Sequence, residues 1–240
     1  MAPLKLGMVG GGQGAFIGGV HRMAARLDGC FDLVAGAFSS DAVRAHASAA
    51  ELGIDNDRSY ANFNEMAKSE AARPDGIDAV SIVTPNHLHG PIAEAFLAHD
   101  ISVICDKPMT ATLAQAESLM EAAETSKGHF FLTHNYTGYP MVRQARQMVA
   151  EGALGEIRFV EVNYLQDWLS EAPAEDNKQA KWRMDVAQSG GGAIGDIGTH
   201  AHNLACFVLR LRATSLSATL SSHVAGRMVD DDARITLQFD

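Results

Sequence analysis

Long apolar runs are missing from this chain, and so are clusters of positive charge. None of its 240 residues lies in a continuously apolar stretch of the ~20 residues that a bilayer-crossing helix needs. The start, Met1-Ala2-Pro3-Leu4-Lys5, runs straight into a short strand pattern and glycines, without the apolar core of a secretory leader. No membrane partner is expected. Lys and Arg number 19 against 29 Asp and Glu, for a formal charge of -10 and no basic run, so a nucleic-acid backbone would be repelled. Cysteine is scarce. Cys30, Cys105 and Cys206 are odd in number, far apart and outside any metal-ligand spacing, which reads as reduced core thiols in a cytoplasmic protein with no metal site. There is no Gly-x-Ser-x-Gly elbow for serine chemistry, no internal repeat and no low-complexity tract. What is present, 47% apolar and 20% charged, suffices for a sizeable core and two domains.

Short apolar runs alternate with helical stretches through the first half. Strands are expected at residues 4–9, 31–38, 77–83, 101–105 and 130–133. Helices are expected at 15–27, from a Ser39-Ser40-Asp41 cap to Leu52, at 89–98 and at 113–125. Near-continuous apolar strands alternating with helices read as α/β, a doubly wound parallel sheet covered on both faces. Ligands of such sheets sit beyond the carboxyl ends of the strands. Gly10, Ser39, Thr84-Pro85-Asn86 and Asp106-Lys107-Pro108 all fall at those ends.

Beyond Asn135 the pattern changes to an α+β domain with an open, mainly antiparallel sheet. It predicts a helix at 141–151, an alternating strand at 156–164, a polar loop at 170–181, a helix at 197–209 and strands at 215–221 and 233–239. The expected division is 1–134 for dinucleotide binding and 135–240 for substrate and oligomerisation. The final strand pattern has nothing after it, so this second domain is expected to be incomplete at its C-terminal end, as in a truncated chain.

The most specific local signal is Gly10-Gly11-Gly12-Gln13-Gly14 between the first strand and the first helix. Gly10 and Gly12 have the first two spacings of a dinucleotide fingerprint, where glycine permits a tight turn and lets amides approach a pyrophosphate at a helix N-terminus. Gln13, Gly14, Ala15, Phe16 and Ile17 continue the expected cofactor segment. The third glycine position is filled either by Ala15 or, after a small insertion, by Gly18. At the end of the second strand the usual ribose-binding acid is replaced by Ser39 and Ser40, with Arg44 one turn on. Two hydroxyls and a guanidinium suit a 2′-phosphate, which tilts the cofactor slightly from NAD toward NADP. The competing reading is that both serines cap the following helix.

Together these elements resemble the family named for glucose-fructose oxidoreductase, inositol 2-dehydrogenase and the rhizopine-catabolism protein MocA. The residues that carry the resemblance are the glycine turn, Thr84-Pro85-Asn86 with His89, Asp106-Lys107-Pro108, Trp182-Arg183, and the run Gly190 to Gly198 with Asp196 and His200. Three departures are visible: Asp106 where the family has Glu, the insertion in the turn, and a chain shorter than the family's usual length. The resemblance implies a Rossmann domain, a second domain whose open sheet makes homo-oligomer contacts, and NAD- or NADP-linked oxidation or reduction of a sugar, cyclitol or related polyol. It further implies a cis bond at Lys107-Pro108 and a cofactor lying along Thr84, Pro85, Asn86 and His89.

Asp196 and His200, four apart, fall on one face if helical, where a carboxylate can orient an imidazole. We expect His200 to act as base for the hydroxyl proton, Lys107 to stabilise the developing alkoxide or share the proton, and Asp196 to hold substrate. Asn135 and Tyr136 are expected to bind substrate hydroxyls, with domain-interface packing as the alternative for Tyr136. Arg183 reaches either cofactor or an anionic substrate group, and Trp182 either walls the pocket or packs. Two alternatives use the same fold: a glycosidase that oxidises transiently with retained NAD, and a non-catalytic dinucleotide or sugar sensor.

Overall fold

The computed structural model describes residues 2–174 and 176–240. Two compact units divide the chain, Met1–Thr133 and His134–Asp240.

The first unit is one parallel sheet of five strands, in the order β2-β1-β3-β4-β5. The strands are β1 (Leu4–Gly10), β2 (Phe31–Ala37), β3 (Ala79–Val83), β4 (Ser102–Asp106) and β5 (Phe130–Thr133). Helices α1 (Phe16–Leu27), α2 (Ala42–Glu51), α3 (Phe63–Ala72), α4 (His89–Leu97) and α5 (Leu113–Thr125) connect them. Every residue of β3 is buried, as the uninterrupted run Ala-Val-Ser-Ile-Val requires of a central strand covered on both faces. Met8, Val80, Ile82 and Val103 on the sheet, with Met66, Phe96, Leu97 and Leu119 from the helices, are 0–1% exposed. The order reverses between β1 and β3, and the register sets Gly10 opposite Val83. That is the topological switch point, where sheets of this type open a crevice for a ligand.

The sequence pattern passes over α3. This helix is capped by Asn62, whose side chain accepts from the Glu65 amide. Its buried Glu70 is bonded by Arg58 through two nitrogens and by the Tyr60 hydroxyl at 2.7 Å. A carboxylate 1% exposed interrupts the apolar periodicity that marks a helix. The cap of α2 also differs from expectation. Asp41 accepts from the Arg44 amide at 2.8 Å, while Ser39 Oγ accepts from the Asp41 amide; neither Ser39 nor Ser40 is the cap.

The second unit holds α6 (Pro140–Ala150), α7 (Lys178–Met184), a single turn α8 (Val186–Ser189), α9 (Thr199–Leu209), and an antiparallel pair, β6 (Ala213–Ser221) with β7 (Asp232–Phe239). Arg146 ties α6 to α9, donating to the Phe207 carbonyl at 3.0 Å with its guanidinium 4.3 Å over the Phe207 ring. Three expectations change here. Residues 156–164 alternate but join no sheet among the described residues; a strand exists only with a hydrogen-bonding neighbour, and Phe159, Val160 and Val162 stay exposed. The polar loop ends earlier, because Asn177 caps α7 through the Gln179 and Ala180 amides. The helix expected from residue 197 starts as a π turn over Ile194–Gly198. Of the cysteines only Cys105 is buried, while Cys30 is exposed and Cys206 partly so. No helix among the described residues is long and apolar enough to cross a membrane.

Replacing Arg58 by methionine leaves the Glu70 carboxylate buried with a phenol in place of its ion partner. We expect a loss of about 3–5 kcal/mol, read as a lower urea midpoint with little change in slope.

Candidate functional site

The glycine turn is built so that backbone, not side chain, faces the end of β3. Gly10, Gly11 and Gly14 have φ of 81°, 70° and 79°, a region open to glycine at no cost. A Cβ on Gly10 would lie 2.8 Å from the Val83 carbonyl and 2.9 Å from Thr84 Cγ2. On Gly12 it would meet Ser48 Oγ at 2.7 Å. Gly18, on α1, would press a Cβ into the Gly11 backbone, its oxygen at 2.7 Å. Gly18 and not Ala15 therefore takes the third glycine's part, bringing helix and turn into contact. From beneath, Arg22 donates to the Gly11 carbonyl at 2.7 Å.

Helix α1 begins at Phe16 and Ile17, whose amides have by geometry no intrahelical carbonyl. Ala15 at the cap position offers no side-chain bond, and no acid stands in the first turn. The hydroxyl of Thr84 is buried and has no protein partner. An uncapped helix N-terminus, a turn without side chains and an orphaned hydroxyl at the switch point fit the pyrophosphate side of a dinucleotide. Not every expected group points there. The Gln13 amide bonds Ser48 Oγ at 3.0 Å, its side chain donates to Glu51 at 2.9 Å, and the Ala15 amide bonds the Gly12 carbonyl. These residues shape the turn. Ser40 and Arg44 are exposed near the end of β2.

Beyond β3 and β4, one imidazole joins two loops. His89, 1% exposed, sets Nδ1 2.7 Å from the Pro108 carbonyl and Nε2 2.9 Å from the Thr84 carbonyl. Both ring nitrogens face backbone carbonyls, and a neutral ring, with one N–H, donates to one of the two. Asn86, 4% exposed, stands in a 3-10 turn just before α4. The Lys107-Pro108 peptide is cis, as the resemblance implies.

Asp106 ends β4. Burial pushes its carboxyl up, but the nearby His21 imidazole and bonds from Thr133 and the Lys107 backbone outweigh this, so it lies below its ordinary range and is ionised. The Thr133 hydroxyl donates to it at 2.9 Å, and His21 Nε2 stands at 3.7 Å. Neither His21 nor Thr133 carries a signal in the sequence alone, because each falls inside an ordinary helix or strand pattern.

In the second unit two groupings form. The His200 ring, 8% exposed, lies 4.6 Å from the ring of Tyr136, with His134 and Tyr164 each at 6.3 Å. The hydroxyls of Tyr136 and Tyr164 are 2.6 Å apart. That bond first, then burial, pushes the Tyr136 phenol up to about 12, so it remains protonated at neutral pH. The other grouping centres on Arg183, which donates to Asp196 at 3.1 Å and stacks 4.2 Å from the Trp182 ring and 5.6 Å from Trp168. The glycine run carrying Asp196 is clamped by Asp230, whose carboxylate accepts from the Gly192 and Ile194 amides at 2.8 and 2.7 Å. Asp230 and Tyr164 also lacked a sequence signal; Asn135 is exposed at the start of a 3-10 turn. Among the described residues no group of three or more His, Cys, Asp or Glu is placed to hold a metal ion.

Two family models together cover the chain. Residues 4–147 match the oxidoreductase family with NAD-binding Rossmann fold, and residues 142–240 match the GFO/IDH/MocA C-terminal domain. An oxidoreductase from Sinorhizobium meliloti superposes with TM-score 0.89 at 52% identity, covering 100% of this chain and 62% of that one. An inositol dehydrogenase homolog from Azotobacter vinelandii, in complex with NAD+, superposes with TM-score 0.95 at 39% identity, covering 99% and 62%. D-xylose 1-dehydrogenase [NADP(+)] of Haloarcula marismortui is 34% identical over 77% of this chain and 49% of its own length. The chain thus spans about half to three-fifths of the length of these relatives.

Burial pushes the His89 imidazole below its ordinary value, against its two carbonyl bonds and the charge of Asp106. The unfolded ring, titrating near pH ~6.5, then takes up a proton before the folded one. Stability is full above that pH and falls below it by up to ~1.4 kcal/mol per pH unit until the folded ring titrates. Urea midpoints between pH 5 and 8 should therefore slope less on the acid side for His89→Gln than for the unaltered protein.

Proposed function

This chain belongs to the GFO/IDH/MocA oxidoreductase family, and from that premise we propose that the protein is an NAD(P)-dependent dehydrogenase acting on a CH–OH group of a sugar, cyclitol or related polyol. The observation that carries the reading is the switch point: a side-chain-free turn at Gly10–Gly12 beside the orphaned Thr84 hydroxyl and an uncapped α1. Relatives that bind NAD+ and act on D-xylose with NADP+ support it.

In this reading Gly10, Gly12, Gly14, Phe16 and Ile17 supply backbone to the pyrophosphate, and Thr84, Pro85 and Asn86 line the cofactor. Bound NAD(P)+ supplies the hydride acceptor. His200 takes the hydroxyl proton at a ring nitrogen, and Tyr136, 4.6 Å away and held protonated, steadies that ring. Asp196, fixed by Arg183, accepts a hydrogen bond from a substrate hydroxyl. Lys107 places its ammonium by the developing alkoxide, where a preorganised charge needs no reorientation. Asn135 adds a further substrate contact. Exposed Leu216 and Leu220 on β6 and Ile235 on β7 support a homo-oligomer formed through this sheet.

The finer proposal is a preference for NADP. Ser39, Ser40 and Arg44 present two hydroxyls and an exposed guanidinium near the end of β2, and the carboxylate beside them, Asp41, is occupied as the α2 cap. Fluorescence titration should give a lower Kd for NADPH than for NADH. Arg44→Ala should weaken NADPH by about tenfold, as for the loss of a charged hydrogen bond, with NADH unchanged.

Activity is checked by following nicotinamide absorbance across a polyol panel. Lys107→Ala and His200→Ala should each lower kcat by about 10²–10⁴-fold while cofactor affinity is retained. Undiminished turnover in both would refute these roles.

A further inference from the structure

We infer that His21 is a positioning residue for Lys107, bridging Ser81 and Asp106 beneath the lysine's backbone. His21 is three residues past Gly18, on the face of α1 that meets the sheet. Its Nδ1 stands 2.9 Å from Ser81 Oγ and its Nε2 3.7 Å from Asp106 Oδ1. The order serine, imidazole, carboxylate is that of a hydrolase triad. Ser81, however, is 2% exposed in the middle of β3, where no substrate reaches it. The same three groups instead form a fixed support. With a neutral ring, the Ser81 hydroxyl donates to Nδ1 and the Nε2–H faces Asp106.

Asp106 is fastened from the other side by Thr133, whose hydroxyl donates to the same Oδ1 at 2.9 Å. The carboxylate is also bonded by the backbone of Lys107. The chain of contacts therefore runs from α1 through β4 to the residue carrying the ammonium. A carboxylate kept ionised and oriented fixes the peptide from which Lys107 departs. Outer partners that orient an active group in this way influence rate without touching substrate. The role of His21 rests on the assignment of Lys107 proposed above.

The test compares His21→Leu, which keeps the volume, with His21→Gln, whose amide can still accept from Ser81 and donate to Asp106. Labelling of Lys107 in the full chain by an amine-reactive reagent, quantified by peptide mass spectrometry, reads its positioning without turnover. His21→Leu should give a several-fold change in the labelling rate, and His21→Gln a rate near that of the unaltered protein. In turnover, His21→Leu should lower kcat by about tenfold at unchanged KM and cofactor Kd, with recovery in His21→Gln. Equal labelling in all three proteins, or equal impairment of both variants, would overturn the inference. If His21→Leu does not fold, Thr133→Val decides from the other side of Asp106, and unaltered Lys107 labelling there also overturns it. Lys107→Ala separates the two claims: full turnover in that variant removes the catalytic assignment, while its loss beside a fully active His21→Leu removes only the role of His21.

Discussion

The first unit depends on the close approach of two strand ends. β1 and β3 lie side by side in parallel, and Gly10 pairs with Val83 just where both strands leave the sheet. With no Cβ on Gly10 or Gly12, the turn can fold flat against its neighbours and deliver α1 with its first amides pointing outward. Gly18 lets that helix settle on the turn, and Arg22 braces the turn from below. Each of these contacts is steric or backbone-directed, so a single added methyl group would disturb the arrangement.

Around that crevice, polar groups are fastened in pairs. His89 joins the loop after β3 to the loop after β4, and His21 with Thr133 fixes the last residue of β4. The loops at a strand end would otherwise be the most mobile part of such a sheet. Here the buried His89 and the partly buried His21 restrain them, and Lys107 stands in the loop after β4.

Much of this was legible from the order of residues. The five strands of the parallel sheet and four of its helices follow from apolar runs and cap residues, because strands buried on both faces leave the strongest possible pattern. Helix α3 escaped since Glu70, Arg58 and Tyr60 bury polarity inside the core, and the hydropathy rule cannot see a satisfied ion pair. The 156–164 segment misled for the opposite reason: alternation records which residues suit a strand, not whether a neighbour is there to pair. In the candidate site, Gly10, Gly12, Asp106 and Lys107 stood out through spacing to a turn or a proline. His21, Thr133, Tyr164 and Asp230 did not, because their importance lies in partners distant in the chain; Asp230, for example, stands 38 positions from Gly192.

The stacking around Arg183 has a spectroscopic corollary. The chain contains two tryptophans, and both indoles lie within 6 Å of that one guanidinium carbon, at 4.2 and 5.6 Å. Its tryptophan emission thus originates beside the Arg183–Asp196 pair. Any event that loosens the guanidinium or recruits the carboxylate changes the local field on both emitters at once, so the protein carries an unlabelled optical gauge of this one neighbourhood.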